Sequence, residues 1–217
     1  MSENNNLSNF DNTKAEAFSG KLLTALNYGS LCLMASIGHR TGLFDLMENL
    51  PASTAKDIAL KAGLNERYVR EWLGAMVTAG VIEVDESSNF YSLPKEHAAF
   101  LTRAAGANNI GVFTQYIAVL GGVEDKIVEC FKKGGGVSYS EFPRFHEVMA
   151  EDSGQSVLSS LESHILPLVE GLTDQLDKGI RVLDVGCGSG RIMNKLAKLY
   201  PNSHFIGIDF SLEAIEL

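Results

Sequence analysis

Val182-Leu183-Asp184-Val185-Gly186-Cys187-Gly188-Ser189-Gly190 is the stretch that decides how this chain folds. Ile180 to Val185 is a short apolar run of strand length, as expected for a strand covered on both faces. Three glycines follow at alternate positions. Beyond them Ile192, Met193, Leu196, Ala197 and Leu199 fall at helical spacing up to Pro201. A strand that enters a helix through glycines brings unpaired N–H groups and the positive end of the helix dipole to one point. Glycine also permits positive φ and close approach of a ligand. Such a turn can hold the anionic end of a nucleotide-like cofactor.

His204 to Asp209 reads as a second strand, and Ser211 can cap the helix after it. Asp209 ends that strand, 19 residues beyond Gly190. A carboxylate there can accept hydrogen bonds from a ribose diol. A strand-end acid on its own is often only a helix cap, so the weight rests on its agreement with the glycines. The spacing also selects among nucleotide sites. A G-x-G-x-x-G pattern begun at Gly186 needs glycine at 191, where this chain has Arg191, and no Lys-Ser or Lys-Thr pair marks a phosphate loop.

Upstream, Thr54 and Asp57 form a capping signature, Gly63 ends that helix and Asn65 caps the next. Val69, Trp72, Leu73, Met76 and Val77 form one apolar face, closed by Gly80. Trp72 lies on that stripe and is expected in the core. Strand-like runs at Val81 to Asp85 and Phe90 to Leu93 flank a polar turn, Glu86 to Asn89. Helix, turn, helix, hairpin is the winged helix-turn-helix order. The region after it reads as helical, broken by Gly134-Gly135-Gly136 and ended or kinked by Pro167.

The run VLDVGCGSG, with Phe205-Ile206-Gly207-Ile208-Asp209 after it, resembles the first two sequence motifs of class I S-adenosylmethionine-dependent methyltransferases. The upstream segment containing Tyr68-Val69-Arg70-Glu71-Trp72-Leu73 looks like the winged-helix part of small-molecule O-methyltransferases and their bacterial relatives. The resemblance runs from about Leu22 to the end and is sharp in 64–93 and 180–210. It implies S-adenosylmethionine as cofactor and a small-molecule methyl acceptor, methylated at oxygen. Gly186, Gly188 and Gly190, with Cys187 and Ser189 between them, would line the methionine part. Asp184 would help to hold the amino group, Asp209 the ribose hydroxyls, and Phe210 would lie beside the adenine. Such enzymes carry their catalytic base in later strands and loops that this chain does not contain, so no catalytic residue is named.

The expected fold class is α/β, mostly α in this chain. Its parts are a disordered tail at 1–17, a winged-helix domain of the dimerising type at 18–95, a helical connector at 96–176, and at 177–217 the first two strands of a Rossmann-like domain. Completing that domain would take on the order of 100 further residues, so a C-terminally truncated fragment is expected, with an open sheet edge and weak stability in its last part.

Hydrophobic residues at 45% and charged residues at 21% suit a packed globular chain. The net charge of −9 argues against nucleic acid as a partner. A DNA-binding regulator is the rival reading of the winged helix, but Arg67 and Arg70 in the recognition position are offset by Glu66 and Glu71. A non-catalytic dimerisation module is a third reading. The helix at 21–37 has apolar residues on more than one face, which fits a homodimer interface. The apolar stretch 22–44 is interrupted by polar residues and glycines, so no membrane span is expected. Cys32, Cys130 and Cys187 are odd in number and far apart, which suits a reducing cytoplasm. The five histidines show no metal-binding grouping; His146 and His164 are the better functional candidates, because they flank the connector expected to face the cleft. Tyr139 and Phe145 read as core, with a pocket wall as the alternative.

Overall fold

The computed structural model describes residues 10–85 and 87–216. Its first element, α1 (Asn12–Arg40), is 29 residues long. This corrects the disordered tail. Residues 1–9 of it lie outside the described residues, but 12–17 are helical. The Asp11 side chain caps the helix by accepting from the Lys14 N–H at 3.2 Å, and the run Lys14-Ala15-Glu16-Ala17 has high helix propensity. Gly29 and Gly38 sit inside α1 without ending it. Gly38 has a packing reason: a Cβ there would collide with the rings of Trp72 and Phe44.

α2 (Leu43–Glu48), α3 (Ala55–Ala62) and α4 (Glu66–Thr78) follow, then a hairpin of β1 (Glu83–Asp85) and β2 (Phe90–Ser92). The caps stand where the sequence puts them: Thr54 accepts from Asp57 N–H at 3.2 Å and Asn65 from Arg67 N–H at 3.0 Å. Gly63 and Gly80 take φ of 65° and 71°. Val81 and Ile82 precede the first strand rather than belonging to it, because their N–H groups still bond the carbonyl of Met76. In the turn between the strands Glu86 lies outside the described residues, and the Asp85 carboxylate holds Ser87 and Ser88. Phe44, Ile58, Val69, Trp72, Leu73 and Met76 fill the core. Trp72 packs edge-on against Phe44 and donates its indole N–H to Met34 O at 2.8 Å.

The connector begins with α5 (Lys95–Leu101), which straddles the expected boundary at 95. Two tight turns lead to α6 (Gln115–Gly121) and α7 (Glu124–Lys133). Gly134 and Gly135 break the chain with φ of 74° and 89°. α8 (Phe145–Ser153) then runs into two wide turns, Gly154–Leu158 and Leu161–Ile165, and ends in a short turn containing Pro167. A polar joint ties α8 to the winged helix. The Glu151 carboxylate accepts from His39 Nε2 (2.9 Å), Arg103 Nε (3.0 Å) and Gln115 Nε2 (2.9 Å). Arg103 also holds Asp45 at 2.6 Å and the carbonyl of His39 at 3.0 Å.

The last part comprises α9 (Leu172–Lys178), β3 (Arg181–Val185), α10 (Arg191–Leu199), β4 (His204–Ile208) and α11 (Leu212–Ile215). β3 and β4 are parallel, with Leu183 opposite Ile206 and Val185 opposite Ile208. One face of the pair, through Val182 and Phe205, packs on a small core of Leu161, Leu166, Leu176 and Leu196. The expectation that β3 is covered on both faces is corrected: Leu183 is 59% and Val185 72% exposed. Both helices that pack here, α9 and α10, contribute to the one core on the Val182 and Phe205 side of the pair.

Candidate functional site

β3 and β4 place the glycine turn and Asp209 at the same, carboxyl end of the sheet. A parallel pair necessarily brings the two strand ends together, and the register does so here residue for residue. The turn is anchored by Gly186 and Cys187, whose N–H groups donate to Ile208 O at 2.7 and 3.1 Å. Gly186, Gly188 and Gly190 take φ of 85°, 55° and 67°. At Gly186 and Gly188 a Cβ would meet open space, so these glycines are required by backbone conformation rather than by crowding. Cys187 points its sulfur at Gly207, where a Cβ would come within 2.8 Å of it; small size explains it.

The Asp209 carboxylate is held from two sides. One oxygen accepts from Gly188 N–H and the other from Ser211 N–H, both at 2.8 Å. These bonds, Ser211 first and then Gly188, together with the nearby His146 charge, keep the Asp209 carboxyl below its ordinary range. Each oxygen retains acceptor capacity toward the cleft. Ser211 caps α11 through Ala214 N–H and bonds His146 Nε2 at 3.0 Å.

A cavity of about 430 Å³ opens over this end of the sheet. The sheet side supplies Asp184, Gly186, Cys187, Gly188, Ser189, Asp209 and Phe210, so every expected cofactor residue but Gly190 lines it. Gly190 instead starts α10. The connector supplies the opposite wall: Tyr139, Phe145, His146, Met149 and Ala150. The Tyr139 ring lies 5.6 Å from that of Phe210 and 5.1 Å from that of Phe145. Tyr139 and Phe145 are thus cavity wall. His146 belongs to the site. His164 does not, because it sits exposed on a wide turn with its ring against Ser163. Met149, Arg191 and Ser211 are lining residues that sequence reasoning did not assign to the site. Arg191 carried a signal as the bulky residue directly after the glycines, and Ser211 as a helix cap; Met149 carried none.

Residues 29–103 match the family described as "Rv2258c-like winged HTH domain", and residues 176–217 match "Methyltransferase domain". This chain joins a winged helix-turn-helix domain to methyltransferase-domain sequence. Malonyl-[acyl-carrier protein] O-methyltransferase of Bacillus cereus is 31% identical over 84 residues, 39% of this chain and 26% of that protein. Among solved structures, the mitomycin 7-O-methyltransferase MmcR superposes with a TM-score of 0.63 at 16% identity, over 94% of this chain and 61% of that one. Human N-acetylserotonin methyltransferase, solved in complex with SAM, gives 0.55 at 16% identity, over 92% and 60%. At these identities the structures speak for the fold. The chain spans about three fifths of the length of those neighbours, and its match covers about a quarter of the Bacillus protein. No helix among the described residues is long and apolar enough to cross a membrane.

Proposed function

We propose that the chain is the cofactor-binding part of an S-adenosylmethionine-dependent methyltransferase that acts on oxygen of a small-molecule acceptor. The observation that carries this reading is the Asp209 carboxylate, fixed by two backbone N–H groups beside the glycine turn with both oxygens still able to accept. Asp209 would receive the ribose hydroxyls, and the exposed Phe210 ring with Tyr139 would flank the flat base. Asp184 also lines the cavity, a carboxylate suited to an ammonium group. S-adenosylmethionine, when bound, supplies a methyl group on a sulfonium that a nucleophile can displace in line. The chain's own contribution is to orient it and to exclude water with the aromatic wall. The names of the Bacillus and mitomycin enzymes, both O-methyltransferases, support oxygen as the accepting atom.

The partner we assign to the winged helix is a second copy of this chain. Leu22, Leu26, Leu33 and Ile37 lie along one side of α1 and are exposed. Free cysteines at 32, 130 and 187 suit the cytoplasm. The test is a calorimetric titration of S-adenosylmethionine into the chain and into Asp209→Ala. Stoichiometric binding that the substitution removes supports the reading; equal binding by both, or binding by neither, counts against it.

A further inference from the structure

The cavity lining carries two carboxylates, Asp184 and Asp209, and one guanidinium, Arg191. Arg191 is the first residue of α10, and no acidic residue lies in that helix's first turn. Its Nη1 donates to Ala150 O at 3.0 Å. Among the described residues it forms no ion pair, whereas Arg103, Arg144 and Lys195 each pair with a carboxylate. A guanidinium has five N–H donors, and the bond to Ala150 engages one nitrogen of a residue that is exposed and lines the cavity. A cation that lines an otherwise acidic cleft without a counter-ion is matched by an anionic group on the ligand.

We propose that Arg191 binds the carboxylate of the cofactor's amino-acid end, an assignment that rests on the reading of the cavity as an S-adenosylmethionine site. The lining then matches the ligand group by group. Asp184 faces its ammonium, Arg191 its carboxylate and Asp209 its ribose. The hydrogen bond to Ala150 and the packing of the guanidinium over Gly154 hold it at the edge of the cavity, with one nitrogen anchored and the other donors available to a ligand. Arginine directly after the glycine turn, which excludes the dinucleotide pattern, acquires a positive role.

The test uses two ligands that differ in this end alone. S-adenosylhomocysteine carries the carboxylate; 5′-methylthioadenosine keeps the adenosine and thioether and lacks it. Both are titrated calorimetrically to saturation into the chain, into Arg191→Met and into Arg191→Lys. Arg191→Met is expected to weaken S-adenosylhomocysteine about tenfold or more, the scale of a lost charge-assisted hydrogen bond, and to leave 5′-methylthioadenosine unchanged. Arg191→Lys should recover part of the loss. Equal weakening of both ligands would reduce Arg191 to a clamp on α8 and overturn the assignment, as would an unchanged affinity for S-adenosylhomocysteine. If the unsubstituted chain binds neither ligand, the cofactor reading itself fails and the assignment falls with it.

Discussion

At the scale of single residues the site depends on one carboxylate. Asp209 is held by the N–H groups of Gly188 and Ser211 and keeps its charge below the usual carboxylate range for that reason first. A depressed folded value means that the ionised form persists as pH falls, and its contribution is lost only below the ordinary value of 3.8. Affinity for S-adenosylhomocysteine should therefore stay level from neutral pH down to about 5 as far as Asp209 is concerned. A loss of affinity that sets in well above that pH would show that a group other than Asp209 limits binding. Asp209→Ala removes acceptors for two ribose hydroxyls and should weaken binding by about 100-fold or more. These residues were legible because the chemistry is local: a strand, a glycine turn and a strand-end acid lie within one short stretch of chain. His146 and Met149 reach the same cavity by the packing of α8, which no local pattern encodes. His164, on the same connector, turns away from the cavity although its position in the sequence looked equivalent.

At the scale of elements, the helix faces were readable and their limits less so. The apolar stripe of α4 is the floor of the winged-helix core, and Leu73 on it is fully buried. Leu73→Ala should lower the unfolding free energy by about 2–5 kcal/mol, measured by denaturant melts; a change under about 1 kcal/mol would mean that the core closes over the cavity. α1 was harder to delimit, since its start depends on one capping acid and its interior glycines resemble breaks. Gly38 is there to admit Trp72 and Phe44, a reason that only the folded structure contains. The exposed stripe on α1 yields a second expectation. Leu22→Glu with Leu26→Glu should convert a dimer into a monomer by light scattering while leaving the melting temperature nearly unchanged, because both side chains are exposed in the single chain. A chain that is monomeric before substitution would refute the interface.

At the scale of the whole molecule, two cores of unequal size are joined through α8. Among the described residues, thirteen buried apolar side chains stabilise the winged helix and four stabilise the sheet. The far face of β3 and β4 presents Leu183, Val185, Ile206 and Ile208 to solvent. Since burial of apolar area is the main stabilising term, the strands should open more readily than α4. Native-state hydrogen exchange checks this directly: amides of 181–185 and 204–208 should exchange well before those of 69–76. The exposed face also predicts self-association. Leu183→Lys with Ile206→Lys, which leaves the cavity lining untouched, should reduce concentration-dependent scattering. Ligand binding acts on the same unit, because Asp209 and the glycine turn connect the ends of both strands. Saturation with S-adenosylhomocysteine at 100 times its dissociation constant should slow exchange in the strands by about 100-fold and leave α4 unaffected. Slowing of α4 as well would show that the polar joint of Glu151, His39 and Arg103 transmits the binding energy and makes the two cores one cooperative unit. Strands as protected as α4 before ligand is added would mean that their exposed face is already covered by another copy of the chain.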